Sequence, residues 1–80
     1  MPQYSLYRQI GYGMRAEYKV IVFLAKDNAD ALAQVARDLG ITLKNGMLDE
    51  WEFYSADANS LFCDGVQVFP KRPVSALVLT

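Results

Sequence analysis

The sequence contains no histidine and a single cysteine, Cys63, and both shortages exclude classes of chemistry. Histidine is the usual general base near neutral pH and the commonest metal ligand. Without it, a serine or cysteine nucleophile activated by histidine is excluded. One cysteine can form neither an internal disulfide nor a structural zinc site, which favours a reducing compartment over a small secreted scaffold.

Long apolar runs are also missing. The longest, Val20 to Ala25, has six residues, far fewer than the roughly 20 of a membrane-spanning helix. The first ten residues lack the basic and apolar segments of a signal peptide. The 80 residues are 52% hydrophobic and 21% charged, which is typical of a folded chain. The sequence thus predicts one cytoplasmic domain over residues 1–80, without a membrane partner.

Charge is nearly balanced overall, at −1, but it is segregated along the chain. Residues 1–26 carry four basic residues and one acidic residue, whereas residues 27–64 carry eight acidic residues and two basic ones. Such asymmetry can steer the encounter with a charged partner. It also arises by chance in small domains, and the sequence does not separate the two explanations.

The N-terminal third predicts an antiparallel hairpin. Residues 3–10 alternate apolar and polar side chains, which is typical of a half-buried strand. Gly11-Tyr12-Gly13 suits a turn, and residues 16–25 form the second strand.

A single helix is predicted over residues 28–39. Asp27 or Asn28 can cap its first turn, and Gly40 stands where a left-handed C-terminal cap is wanted. One apolar stripe at helical spacing should pack on the sheet. Its members are Ala29, Leu32, Ala33, Ala36 and Leu39.

The rest of the chain predicts further strands. Residues 50–54 alternate, with Trp51 and Phe53 pointing inward, and residues 74–80 are rich in β-formers. Asn45-Gly46 and Asp64-Gly65 are hairpin-turn signals, although the first also suits a surface loop. We therefore expect an α+β fold, with a mainly antiparallel sheet of five to six short strands. The expected order is β-β-α-β-β-β, with the single helix on one face.

The second strand raises the question of what covers its other face. Six consecutive apolar residues indicate that both faces leave water, but one helix covers one face. The other face can meet the curled sheet, the C-terminal segment, a second copy of the chain or a different protein. We assign Ile21 and Phe23 to this uncovered face and predict them as contacts of a homodimer. In that case Phe23→Asp should leave a folded but weakened monomer.

Tyrosine and arginine interleave in the hairpin, a mixture that is enriched at protein interfaces and that can also stack bases and bind phosphates. The tyrosines can equally form the polar edge of the core. The predicted partner contacts are Tyr4, Tyr7, Arg8, Tyr12 and Arg15.

Two carboxylates, Glu50 and Glu52, lie two residues apart and would share one face of a strand. They can form a second, acidic contact surface for a basic partner. A divalent-metal site is the other interpretation, but no further active-site group accompanies the pair. We therefore expect no metal, no cofactor and no enzymatic activity.

These features together predict a non-enzymatic protein-binding module of the small inhibitor or adaptor type. In size, and in its lack of catalytic residues, the chain is similar in type to small phage and mobile-element proteins that block a host machine, including anti-CRISPR proteins. No motif carries that similarity. The alternative is a single-stranded nucleic-acid-binding protein that uses the tyrosine-arginine hairpin, which the acidic pI of about 5.1 disfavours.

Overall fold

A computed structural model describes residues 1–11 and 13–71, and within these ranges the chain forms four strands and two α-helices. The predicted strand at residues 74–80 and the turn residue Tyr12 lie outside the described residues. The elements follow the chain in the order β1 (Gln3–Ile10), a 3-10 turn (Gly13–Arg15), β2 (Glu17–Leu24), α1 (Asn28–Leu39), α2 (Glu50–Asp57), β3 (Ser60–Cys63) and β4 (Val66–Phe69).

The four strands form one antiparallel sheet in the order β2-β1-β3-β4. The α+β class and the antiparallel sheet are therefore confirmed. The finer prediction of five to six strands and one helix is not matched, since the described residues hold four strands and a second helix. The predicted hairpin of the first two strands is present, with Tyr4 opposite Phe23 and Leu6 opposite Ile21.

Helix α1 has the predicted bounds because both of its ends are capped as the sequence indicates. The Asp27 side chain accepts a hydrogen bond from the Asp30 backbone N–H at 2.8 Å. Gly40 adopts the left-handed conformation, with φ 72°, and its N–H donates to the last carbonyls of the helix. Within the described residues, no helix is long and apolar enough to cross a membrane.

The buried side of α1 differs in part from the predicted stripe. Ala31, Val35 and Ala36 are buried, whereas Ala29 is exposed. Small or apolar residues occupy many positions of this helix, so its apolar residues fit two overlapping helical faces. The sequence pattern alone therefore does not determine which of the two is buried. Ala31 and Ala36 belong to the same buried cluster as the core residues of the sheet.

Residues 50–54, predicted as a strand, belong to helix α2, and that prediction is wrong. The Asp49 side chain accepts a hydrogen bond from the Glu52 backbone N–H at 2.9 Å, which caps the first turn. Glu50 adds negative charge where the helix dipole favours it. Residues two apart lie on different sides of a helix, so Phe53 is buried while Trp51 is 45% exposed.

Both predicted hairpin-turn signals, Asn45-Gly46 and Asp64-Gly65, form turns. Asp64 and Gly65 have φ of 52° and 77° and join β3 to β4. Asn45 and Gly46 have φ of 53° and 72°, the pair of positive angles that a type I′ turn needs. The turn at Asn45-Gly46 closes a single β-bridge, between Lys44 and Met47, which lies outside the named strands.

The core lies between one face of the sheet and the two helices. Phe53 of α2 meets Phe69 of β4 edge to face at 5.1 Å, and both belong to the same buried cluster as Leu61. We call this side of the sheet the covered face. The buried core that the covered face forms with the helices consists of Tyr4, Leu6, Ala25, Ala31, Val35, Ala36, Leu48, Phe53, Leu61 and Phe69.

Ile21 and Phe23 lie on the covered face, where both pack against the core. The assignment of these two residues to the uncovered face is therefore corrected. The reason is the pairing with β1, because Phe23 stands opposite buried Tyr4 and Ile21 opposite buried Leu6. The helices cover that side, so Val20, Val22 and Leu24 are the residues left outside.

Candidate functional site

The side of the sheet that carries no helix, which we call the open face, is defined by the strand register. Alternation places every second residue of each strand there. Among the described residues, no charged side chain stands at any of these positions. The open face consists of Gln3, Ser5, Tyr7 and Gln9 of β1, Tyr18, Val20, Val22 and Leu24 of β2, Ser60 and Phe62 of β3, and Gln67 of β4.

Large apolar side chains on β2 dominate the open face. Val20, Val22 and Leu24 are 46%, 56% and 56% exposed, and Tyr18 is 66% exposed. Single exposed hydrophobic residues are normal, but a contiguous group on one strand forms a patch. A patch of this kind with no charge inside it is typical of an interaction surface.

An open depression of about 500 Å³ lies beside this aliphatic row. Tyr7 and Phe62 line it and meet edge to face, with ring centroids 5.2 Å apart. Tyr18 contributes a third aromatic ring to the wall. Aromatic-lined depressions bordered by apolar residues accept the large anchor side chains that dominate protein interfaces.

The β2 strand is also an edge of the sheet. In the described part of the chain no strand pairs with its outer side. Its stretch from Val20 to Leu24 contains no charged residue and no proline, two of the devices that usually protect an edge from pairing. The unpaired edge of β2 thus carries three residues of the open face, Val20, Val22 and Leu24.

Tyr4, a predicted contact, is a core residue instead. It is buried, stacks on Phe23 with ring centroids 5.8 Å apart, and donates a hydrogen bond to Asn28 Oδ1 at 2.7 Å. Burial, above all, raises the pKa of the Tyr4 hydroxyl above its ordinary value of 10.0, and nearby Cys63 and Asp27 add to the rise. The side chain joins β1 to the start of α1 and is not available to a partner.

Tyr4→Phe should therefore change the alkaline stability of the protein. Because the folded-state pKa is raised, the unfolded chain loses this proton more easily. The contribution of Tyr4 to the free energy of unfolding is complete below about pH 10 and is lost as the pH rises toward the folded-state pKa. Urea midpoints between about pH 8 and 11 should fall less steeply in Tyr4→Phe than in wild type, with a cost of about 0.5–1.5 kcal/mol at neutral pH. If the urea midpoints of Tyr4→Phe and wild type fell equally steeply with pH, the role of this hydroxyl would be contradicted.

The other predicted hairpin contacts separate. Arg8 lies half-buried on the covered side and forms an ion pair with Asp57 at the end of α2. Arg15 is exposed at the end of the 3-10 turn, and Tyr12 lies outside the described residues. Among the predicted hairpin contacts that lie within the described residues, Tyr7 is the one on the open face.

The two glutamates do not form a carboxylate pair on a strand, because both belong to the first turn of α2. Lys44 Nζ lies 2.6 Å from Glu52 Oε1, and this contact raises the pKa of the Lys44 ammonium group. Glu50 lines the groove between α1 and the turn at residues 44–47. In residues 1–11 and 13–71, no group of three or more acidic, cysteine or histidine side chains is arranged to hold a metal ion.

Four residues of the open face were not predicted from the sequence as surface residues: Val20, Val22, Leu24 and Phe62. A usable signal was present in the first strand, where Tyr4 and Leu6 are apolar while Ser5 and Gln9 are polar. The polar set marks the side that faces water. Carrying that polarity across the hairpin places the aliphatic row of β2 on the open face.

Comparisons with protein-family models, curated proteins and solved structures give no match to this chain. The interpretation of the open face therefore depends on its own residues.

Proposed function

We propose that this chain is a non-enzymatic protein-binding module, of the inhibitor or adaptor type, that contacts its partner through the open face. One observation carries the proposal: a sheet face without charged side chains among the described residues displays a row of exposed aliphatic side chains beside an aromatic depression. The single cysteine favours a cytoplasmic site of action.

A partner can gain binding free energy here by removing the exposed aliphatic side chains from water. Burying one valine or leucine side chain fully contributes about 1.5–3 kcal/mol, and Val20, Val22 and Leu24 are about half exposed in the single chain. A partner that covers them gains part of that free energy. Serine, glutamine and tyrosine side chains of the neighbouring strand β1 supply hydrogen bonds beside this row, so the face offers both the apolar and the polar contacts of a protein interface.

Single-stranded nucleic acid is the second candidate, because Tyr7, Tyr18 and Phe62 offer rings on which bases stack. Nucleic-acid affinity depends mainly on lysine and arginine residues that neutralise phosphates. Among the described residues the open face presents none, and Arg8 on the opposite side is engaged by Asp57. Charge therefore favours the protein partner.

Affinity capture with matched variants tests the proposal. The tagged full chain, Val22→Asp and Val66→Asp are each incubated with nuclease-treated and untreated lysate of the source organism. Val66 is the matched control because it is 64% exposed and stands opposite Cys63, away from the open face. The proposal expects the wild type and Val66→Asp to retain the same proteins after nuclease treatment, and Val22→Asp to lose them.

The proteins captured are then purified and titrated directly. A carboxylate at Val22 should weaken binding at least tenfold, or about 1.4 kcal/mol, because the charge loses water on contact. Equal affinity of wild type and Val22→Asp would reject the open face as the contact surface. Capture that disappears with nuclease would favour the nucleic-acid alternative.

A further inference from the structure

We propose that the open face is self-complementary, and that two copies of the chain pack their open faces together as a two-fold dimer when no other partner is bound. The inference rests on the proposed function, since it uses the same face. It differs from the dimer expected from the sequence, because Ile21 and Phe23 take no part in it.

Two open faces can pack together without electrostatic repulsion between them. A two-fold interface places the same patch of each subunit against itself, so any net charge near its centre meets a like charge. The open face has no charged side chain among the described residues and avoids that repulsion. The net charge of −1 adds little repulsion at longer range.

The register also gives the two faces complementary halves. On one side of β1 lies the aliphatic row of β2, and on the other side lies the depression beside β3. A two-fold axis that runs along β1, between the two sheets, places β2 of each copy over β3 of the other. Sheets packed in this way lie about 10 Å apart and interdigitate their side chains.

One contact follows directly from that axis. Val22 and Phe62 are both register partners of Ser5, on its two sides. Rotation about β1 therefore brings Val22 of one copy onto Phe62 of the second copy, and the same contact forms twice. Aliphatic side chains would thus fill both aromatic depressions, and Ser5 would lie near the axis.

The size of the face sets the expected strength. Strands of eight and four residues, spaced about 4.8 Å apart, give a projected area of roughly 400 Å² for each copy. Even with the extra surface of protruding side chains, the pair lies near the lower end of specific interfaces, which bury about 1,200–2,000 Å² in total. We therefore expect a reversible dimer with a dissociation constant on the order of micromolar.

Sedimentation velocity of the full chain tests the inference from about 0.05 µM to about 100 µM, a range that brackets a micromolar dissociation constant. The wild type and the control Val66→Asp should pass from monomer to dimer over this range, while Val22→Asp should stay monomeric at every concentration. Circular dichroism checks that Val22→Asp is folded. If it is not, Val20→Lys replaces it, and the wild-type series alone still decides.

Three results would overturn the inference. A wild type that stays monomeric throughout leaves the face to a different protein or to residues 72–80 of the same chain. Dimerisation that Val22→Asp does not weaken places the contact elsewhere. Growth beyond the dimer indicates open-ended pairing through the β2 edge instead of a closed two-fold.

The contact across the axis has its own test, in the background Cys63→Ser. A short bis-maleimide should cross-link a mixture of Val22→Cys and Phe62→Cys chains faster than it cross-links either chain with itself, since the two positions face each other across about 10 Å. Equal rates would place the contact elsewhere. Failure of this inference is distinguishable from failure of the proposed function. If the wild type is monomeric but Val22→Asp still loses partner binding, the dimer is refuted and the proposed function is kept. If the wild type forms the dimer but Val22→Asp binds the partner as tightly as wild type does, the proposed function is refuted and the dimer is kept.

Discussion

Phe53→Ala should lower the free energy of unfolding by about 3–5 kcal/mol, the largest loss expected from a single truncation in this chain. Phe53 has no exposed surface and meets Phe69 edge to face. Its carbonyl accepts a hydrogen bond from the buried Asn59 side chain at 2.9 Å. Removing the ring leaves a cavity where α2 joins the sheet, and small domains have a total stability of only about 5–15 kcal/mol.

Trp51→Ala is the matched control for that variant. Trp51 belongs to the same helix and has a larger side chain, but it is 45% exposed, so we expect a loss of about 1 kcal/mol or less. Urea unfolding followed by circular dichroism measures both, because fluorescence would lose its tryptophan. If residues 50–54 were a strand with both rings inward, the two losses would be similar, and that result would contradict α2.

Phe23→Asp should leave most of the protein unfolded at 25 °C. The ring of Phe23 stacks on buried Tyr4 and packs against the core. Replacement removes that packing and places a carboxylate where it has no partner, and the two costs together amount to several kcal/mol. The folded monomer expected from the sequence alone is therefore no longer the expected outcome.

Val22→Asp, one residue earlier, should stay folded. Its side chain points to the opposite side of the strand and is 56% exposed, so the carboxylate remains in water, at a cost of about 1 kcal/mol to the monomer. Circular dichroism and the dispersion of amide proton signals compare the two variants at low concentration. If Phe23→Asp were folded and Val22→Asp unfolded, the helices would have to cover the side of β2 that carries Val22. That result would refute the packing of Phe23 against the core.

Local signals were sufficient for the hairpin, the first helix and the turn between β3 and β4. The alternation of residues 3–10 gives the bounds of β1, Asp27 and Gly40 give the bounds of α1, and Asp64-Gly65 gives the turn. Each of these signals acts within a few residues, so no tertiary contact has to be known.

Helix α2 was not predicted because its pattern has two interpretations. Glutamate alternates with aromatic residues in this segment, which imitates a strand with one buried side. The spacing of Asp49 and Glu52 is that of a helix N-cap and its third residue, and the observed cap confirms that this was the better signal. Burial of Phe53 against Phe69, a contact across 16 residues of sequence, then favours the helix.

The candidate site was predictable only in part. The sequence indicated a surface on the N-terminal hairpin, and Tyr7 is on it. Exposure of a given tyrosine or arginine depends on its tertiary neighbours, and these bury Tyr4 and engage Arg8. The open face itself was hidden because both sides of β2 are apolar, so the strand alone gives no sign of which side the helices cover.

Hydroxyl-radical footprinting of the unmodified chain tests most directly whether the open face is a protein-binding surface. Oxidation is measured residue by residue in dilute monomer and at high protein concentration or with bound partner. We expect Tyr7 and Tyr18 to react readily when dilute and to become protected, while buried Tyr4 reacts slowly throughout and exposed Met47, beside α1, does not change. The account would be contradicted if Tyr7 and Tyr18 were oxidised as slowly as Tyr4 in the dilute monomer. It would also be contradicted if their oxidation rates did not fall at high concentration or with bound partner.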